Sequence, residues 1–161
     1  MAILDSQELL FAAFEPHLQH RFIMSIEGTA TQLIRAAKLP TFADSVVKLD
    51  HINSYKKVRG KREWQDIQIT LYDPVSPSGA QLVMDWARLA YETLTGRAGY
   101  SDFYKKEVSI QKLGPVGDIV SEWVLKGCWI SNGDFGNVDW SSDALVDISL
   151  TLTYDAAILA Y

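Results

Sequence analysis

The chain has 161 residues, 48% hydrophobic and 22% charged, with a formal net charge of -5. That length suits one domain with its own core, and the acidic balance argues against a sequence-reading nucleic-acid binder, whose footprint is basic. The single cysteine, Cys128, excludes an intramolecular disulfide, no apolar run approaches membrane-spanning length, and the opening MAILDSQELLFAAFEP carries acids where a signal peptide needs bases.

Residues 6–15, SQELLFAAFE, predict a short helix: Ser6 is a capping residue and Leu10, Phe11 and Phe14 share a face, with Pro16 as the stop. HRFIMSIE (20–27) alternates as a strand, burying Phe22, Met24 and Ile26, or else Ile23, and Gly28 breaks it. A second strand follows at about 30–38, closed by Pro40. SVVKLDHI (45–52) and SYKKVRGKREW (54–64) read as two extended arms around Asn53-Ser54. QDIQITLY (65–72) sets Ile67, Ile69 and Leu71 on one face, a period of two, and DPVSPSG (73–79) is a turn cluster.

Residues 80–95 are the one clear long helix. Leu82, Val83, Trp86, Leu89, Ala90 and Leu94 recur at helical spacing between Pro77-Ser78 and Gly96. Strands resume at about 104–113, 119–130 and 144–154. In the last of these Ile148, Leu150, Leu152 and Tyr154 fall on one side, and Asp147, Ser149, Thr151, Thr153 and Asp155 on the other. Strands flank a single helix on both sides, unlike the regular alternation of a parallel sheet. The fold class expected is mainly β: an antiparallel β-sandwich or barrel with one flanking α-helix (80–95) and the two extended arms of 45–64, in one domain.

Charge is unevenly placed. Six bases, Lys48, Lys56, Lys57, Arg59, Lys61 and Arg62, crowd the arm, with Asp50 among them and Glu63 just beyond. From Asp118 to the end there are seven acids and one base, Lys126. Opposite zones on one small domain suit head-to-tail self-association.

No catalytic constellation emerges. His17 and His20 form HxxH with no Cys or carboxylate completing a metal set. SYKK (54–57) matches SxxK without the helix or the companion motifs that acylation needs. NGDFGNVD (132–139) lacks the distal Glu of a calcium loop and reads as a turn. Cys128 reads as a small buried hydrophobe. The five tryptophans, Trp64, Trp86, Trp123, Trp129 and Trp140, read as core builders rather than a carbohydrate platform.

Two stretches carry a family resemblance. KKVRGKREWQDIQITLYDPVSPSGAQLVMDWARLAYE (56–92) is a basic strand, a Gly, an alternating strand ending in Asp73, then a helix with Asp85-Trp86. LKGCWISNGDFGNVDWSSDALVDISLTLTYD (125–155) is Gly-x-Trp, an Asn-Gly turn and a long alternating strand. In this order they resemble the tail tube protein of contractile-tailed, T-even-type bacteriophages, which is similar in fold to Hcp-type tubes. The resemblance implies rings of six copies, stacked into a hollow tube inside a sheath, whose lumen passes DNA on ejection without specific binding. It implies no catalysis, no cofactor and no membrane. The partners implied are further copies of itself, the sheath protein, and the baseplate and tail terminator; the location is the virion tail, after synthesis in the host cytoplasm. On this resemblance residues 42–64 form an extended hairpin arm that projects towards the next ring, and its bases (Lys48, Lys56, Lys57, Arg59, Lys61, Arg62) meet that ring. Asp147, Ser149, Thr151 and Thr153 face the lumen or a neighbouring subunit, within an acidic C-terminal third. The alternatives are a tube-initiator ring, an injection-device or type VI secretion tube, and a monomeric β-sandwich binding module with exposed coplanar tryptophans.

Overall fold

A computed structural model describes residues 15–27 and 31–161. The helix predicted at 6–15 lies outside these residues apart from Glu15.

Among the described residues there are nine strands: β1 (Phe22–Ile26), β2 (Ile34–Ala37), β3 (Thr41–His51), β4 (Ser54–Gln65), β5 (Ile67–Tyr72), β6 (Lys106–Leu113), β7 (Ile119–Asp134), β8 (Asp147–Thr153) and β9 (Ala156–Leu159). Two helices, α1 (Gly79–Ala90) and the one-turn α2 (Ser101–Tyr104), lie between β5 and β6. The main sheet runs β1-β6-β7-β8-β5-β2, all antiparallel, with β9 also on β7. The mainly β architecture with one principal helix and a separate hairpin arm matches the sequence expectation.

The sheet curls because β7 serves two halves of it. Its first part, to Cys128, pairs with β6, and its second part, from Trp129, pairs with β8. The corner falls at Gly127, whose φ of 69° is left-handed backbone open to glycine at little cost. A Cβ there would lie 2.3 Å from Asp155 Oδ2.

Alternation supplies the core. Ile67, Ile69 and Leu71 of β5 stand in register with Leu152, Leu150 and Ile148 of β8, and all six are buried. Met24, Ile26, Val108, Ile110 and Leu125 close on them from the other half. Each such side chain contributes about 1.5–3 kcal/mol by leaving water. Ile23 points outward, so the buried set of β1 is Met24 and Ile26 with Phe22 half-buried. Cys128 is fully buried, and desolvation pushes its thiol up to about 12.

Helix α1 starts where the sequence says. Ser78 accepts from Gln81 N at 3.4 Å, and Asp73 Oδ1 accepts from Gly79 N at 3.1 Å, two of the free N–H groups of the first turn. It buries Val83 and Trp86. It stops at Ala90 rather than near 95. The chain doubles back, with a bridge from Tyr91 to Ala98 and Gly99 N donating to Ala90 O at 2.9 Å. A Cβ at Gly99 would sit 2.0 Å from Leu89 O, so the return demands a glycine there. Leu94, periodic in sequence, is left 95% exposed. The strand expected at 30–38 begins with a 3-10 turn, Thr31–Leu33, and becomes strand only at Ile34.

Candidate assembly surfaces

The arm is β3 paired with β4 alone, in a two-stranded sheet apart from the main one. His51 faces Ser54, so the turn is Ile52-Asn53, one residue earlier than read from sequence, with Ile52 at φ 36°. The root is anchored by aromatics. Trp64 meets Phe42 edge-on at 5.5 Å and Tyr154 at 6.1 Å, and packs against the core cluster. Every residue from Ser45 to Arg59 is exposed. Apolar side chains project there too, including Val46 (62%), Leu49 and Val58.

All six predicted bases lie on the arm, but they are not equivalent. Arg62 is engaged inside it. Its guanidinium makes a two-point bond to Asp44 and lies 3.9 Å from the Phe42 ring centroid. Its hydrogen bond to Asp44 holds that carboxyl below the ordinary value of 3.8 and pushes the guanidinium up. Arg59 reaches the same carboxylate at 3.9 Å. Lys48, Lys56, Lys57 and Lys61 form no ion pair among the described residues.

The second candidate surface is the outer face of β8. Asp147, Ser149, Thr151 and Thr153 do share it, opposite buried Ile148, Leu150 and Leu152. Cross-strand neighbours continue it: Thr70 and Asp134 flank Ser149, and Gln68 and Asn132 flank Thr151. Asp147 is ion-paired with Arg35 of β2, whose guanidinium sits 5.8 Å from the Tyr72 ring. Thr153 pairs with Trp129, which Tyr104 meets edge-on at 6.1 Å, so the polar face ends beside aromatics.

The acids of the C-terminal third do not gather on the β8 face. Of its seven acids only Asp134 and Asp147 share the β8 face, and Asp147 is neutralised. Asp155 bonds Lys105 at 2.8 Å, Glu122 accepts from Gln111 at 3.0 Å, and Asp139 is held by Ser141. Strand pairing, which sequence spacing does not reveal, scatters them.

Trp140 also departs from its sequence reading. Trp86 is buried and Trp64, Trp123 and Trp129 are half-buried, but Trp140 stands 107% exposed in the β7–β8 loop. Among the described residues no cluster of three or more His, Cys, Asp or Glu could hold a metal.

This β arrangement with its arm has solved counterparts. The chain superposes on a subunit of the PVC extracellular contractile injection system sheath-tube complex with a TM-score of 0.72, over 98% of both chains, at 16% identity. The chain has the Hcp-type tube fold. The same system's sheath/tube terminator gives a TM-score of 0.76 at 16% identity, covering 93% of this chain and 100% of that one. Hcp1 from Flavobacterium johnsoniae gives 0.53 at 11% identity, over 86% and 94%. No family model and no curated protein matches the sequence. Within this fold the β3–β4 arm presents an unbroken exposed run, Ser45 to Arg59.

Proposed function

We propose that the chain is a structural, non-catalytic subunit of the tube of a contractile machine, assembling as rings that stack through the arm. The carrying observation is the arm itself. A two-stranded sheet alone in water is marginally stable, and exposed apolar surface on this scale marks an interface. Fifteen consecutive exposed residues, Ser45 to Arg59, with Val46, Val47, Leu49, Ile52 and Tyr55 among them, suit burial against another copy. The tube fold, the exposed arm and its basic zone all support this role.

In this reading six copies form each ring, and the arm bases Lys48, Lys56, Lys57, Arg59 and Lys61 contact the next ring, while Arg62 stiffens the arm through Asp44. Asp147, Ser149, Thr151 and Thr153 face the lumen or a neighbour. A hydroxyl and amide wall in which Arg35 is paired with Asp147 and Asp134 adds only negative charge suits passage of a polyanion, because unpaired Lys and Arg supply most non-specific DNA affinity. Sheath, baseplate and terminator proteins are the further partners.

The cargo separates two machines. The sequence resemblance points to a phage tail and DNA. The likeness to PVC sheath-tube and terminator components favours an injection device as the second reading. Particles captured from the source through this chain carry nuclease-protected DNA in the first case and none in the second.

Negative-stain electron microscopy over a concentration and salt series tests the role. Rings or hollow tubes are expected. Lys56→Glu, Lys57→Glu and Arg59→Glu together are expected to leave rings intact and stop tube growth. Normal-length tubes from that variant would remove the arm from the stacking contact, and a monomer under every condition would sink the tube reading.

A further inference from the structure

The arm and the β7–β8 loop (residues 135–146) stand at opposite poles. The arm joins the main sheet at Ile67, whose register partner is Leu152; the loop joins it at Asp147, whose partner is Tyr72. The run of β8 from Asp147 to Leu152 separates the two junctions, about 17 Å at strand rise. The eleven residues of β3 give the arm a length of about 33 Å. Residues 45–59 are all exposed, so the distal arm projects away from the main sheet at that pole.

The loop is built as a presented surface. Every residue from Ser131 to Leu145 is exposed. Its shape is held by its own groups: Asp139 Oδ1 accepts from Ser141 N at 3.0 Å, and Ser142 Oγ accepts from Ala144 N at 3.2 Å. On this frame Trp140 is 107% exposed, Val138 90% and Leu145 75%. Its acids include Asp139 and Asp143, and no Lys, Arg or His occurs between Gly127 and Tyr161. Facing it in kind, the distal arm carries Lys48, Lys56 and Lys57 without ion partners among the described residues, alternating with apolar Val47, Leu49 and Val58.

We propose that the β7–β8 loop is the seat that receives the distal arm of a second copy in the adjacent ring, with Trp140 as its central anchor. This rests on the tube reading and adds to it the receiving surface. Unlike ends in contact propagate head to tail without closing, which is the geometry of a growing stack. Exposed tryptophans of this kind are the side chains that dominate interface energetics once desolvated. The lysines and aspartates set register and approach, adding specificity more than affinity.

The test is a disulfide between the two surfaces in the full chain. Asn53→Cys at the arm turn and Val138→Cys in the loop are both exposed positions, and the native Cys128 is buried and inert. On mild oxidation of assembled protein the double variant is expected to yield a ladder of covalent multimers. Asn53→Cys paired with Val116→Cys, in the exposed β6–β7 turn, is expected to yield none. Trp140→Ala is expected to raise the concentration needed for tube growth roughly tenfold or more while rings persist. Tubes that form without the Asn53–Val138 ladder, or with Trp140→Ala growing as readily as the parent, would overturn the seat and leave the tube reading standing. No assembly of the parent chain at any concentration would overturn both.

Discussion

Asp44 and Arg62 face each other across the arm in a fork-to-fork ion pair, Nε to Oδ1 at 2.7 Å and Nη2 to Oδ2 at 2.9 Å. They are direct cross-strand partners beside a register shift. Two parallel charge-assisted bonds fix orientation as well as distance. The pair therefore pins the arm just above its aromatic root, where Trp64 leans on Tyr154. At the shift, Gly60 passes so close to β3 that a Cβ would lie 2.1 Å from Ser45 Oγ.

This pair predicts a pH response. The Asp44 carboxyl is held below 3.8 by its bond to Arg62. A depressed folded-state value means that the contribution is fully present above the ordinary aspartate range and is lost as pH falls through the folded value. The arm is thus expected to keep its order at pH 5–8 and to loosen at its root only below about pH 4. Nuclear magnetic resonance of the Arg62 Nε–H checks it: the signal should shift in the acid range in the parent and show no such transition in Asp44→Asn.

Gly127→Ala is expected to destabilise the domain by about 1–3 kcal/mol. The residue turns β7 at positive φ, and the new Cβ would meet Asp155, so the carboxylate that Lys105 holds has to shift as well. Gly96→Ala is the control. It shares a φ of 69° but has nothing within 4 Å of its Cβ, so it loses only the conformational part. Urea denaturation of the two variants should place Gly127→Ala clearly lower; equal midpoints would remove the steric argument.

The two faces of β8 should answer differently to truncation. Leu152→Ala empties a fully buried position and is expected to cost about 2–5 kcal/mol. Thr151→Ala, one residue away on the polar face, is expected to change stability by less than about 0.5 kcal/mol. Thermal and urea midpoints measure the first. Assembly of Thr151→Ala, scored by electron microscopy, measures whether the polar face matters between copies rather than within one.

Local pattern in the amino-acid order determined much of this protein. Period-two alternation in β5 and β8 dictates which side chains enter the core, because successive strand side chains point to opposite faces. Ser78 and the apolar spacing from Leu82 dictate where the long helix begins. The crowd of bases at 48–62 marked the arm, and two quoted stretches sufficed for the resemblance to a tube protein. The rest depends on which strands become neighbours. Pairing put Asp147 beside Arg35 and Asp155 beside Lys105, dissolving an acidic zone that is continuous only along the chain. It ended the helix at Ala90, because Gly99 returns onto it through a contact that no periodicity encodes. It left Trp140 in water, since nothing local distinguishes a tryptophan that will meet a core from one held out on a loop. It also set arm and loop at opposite ends of one sheet, because position along a strand becomes distance in space only after the register is chosen.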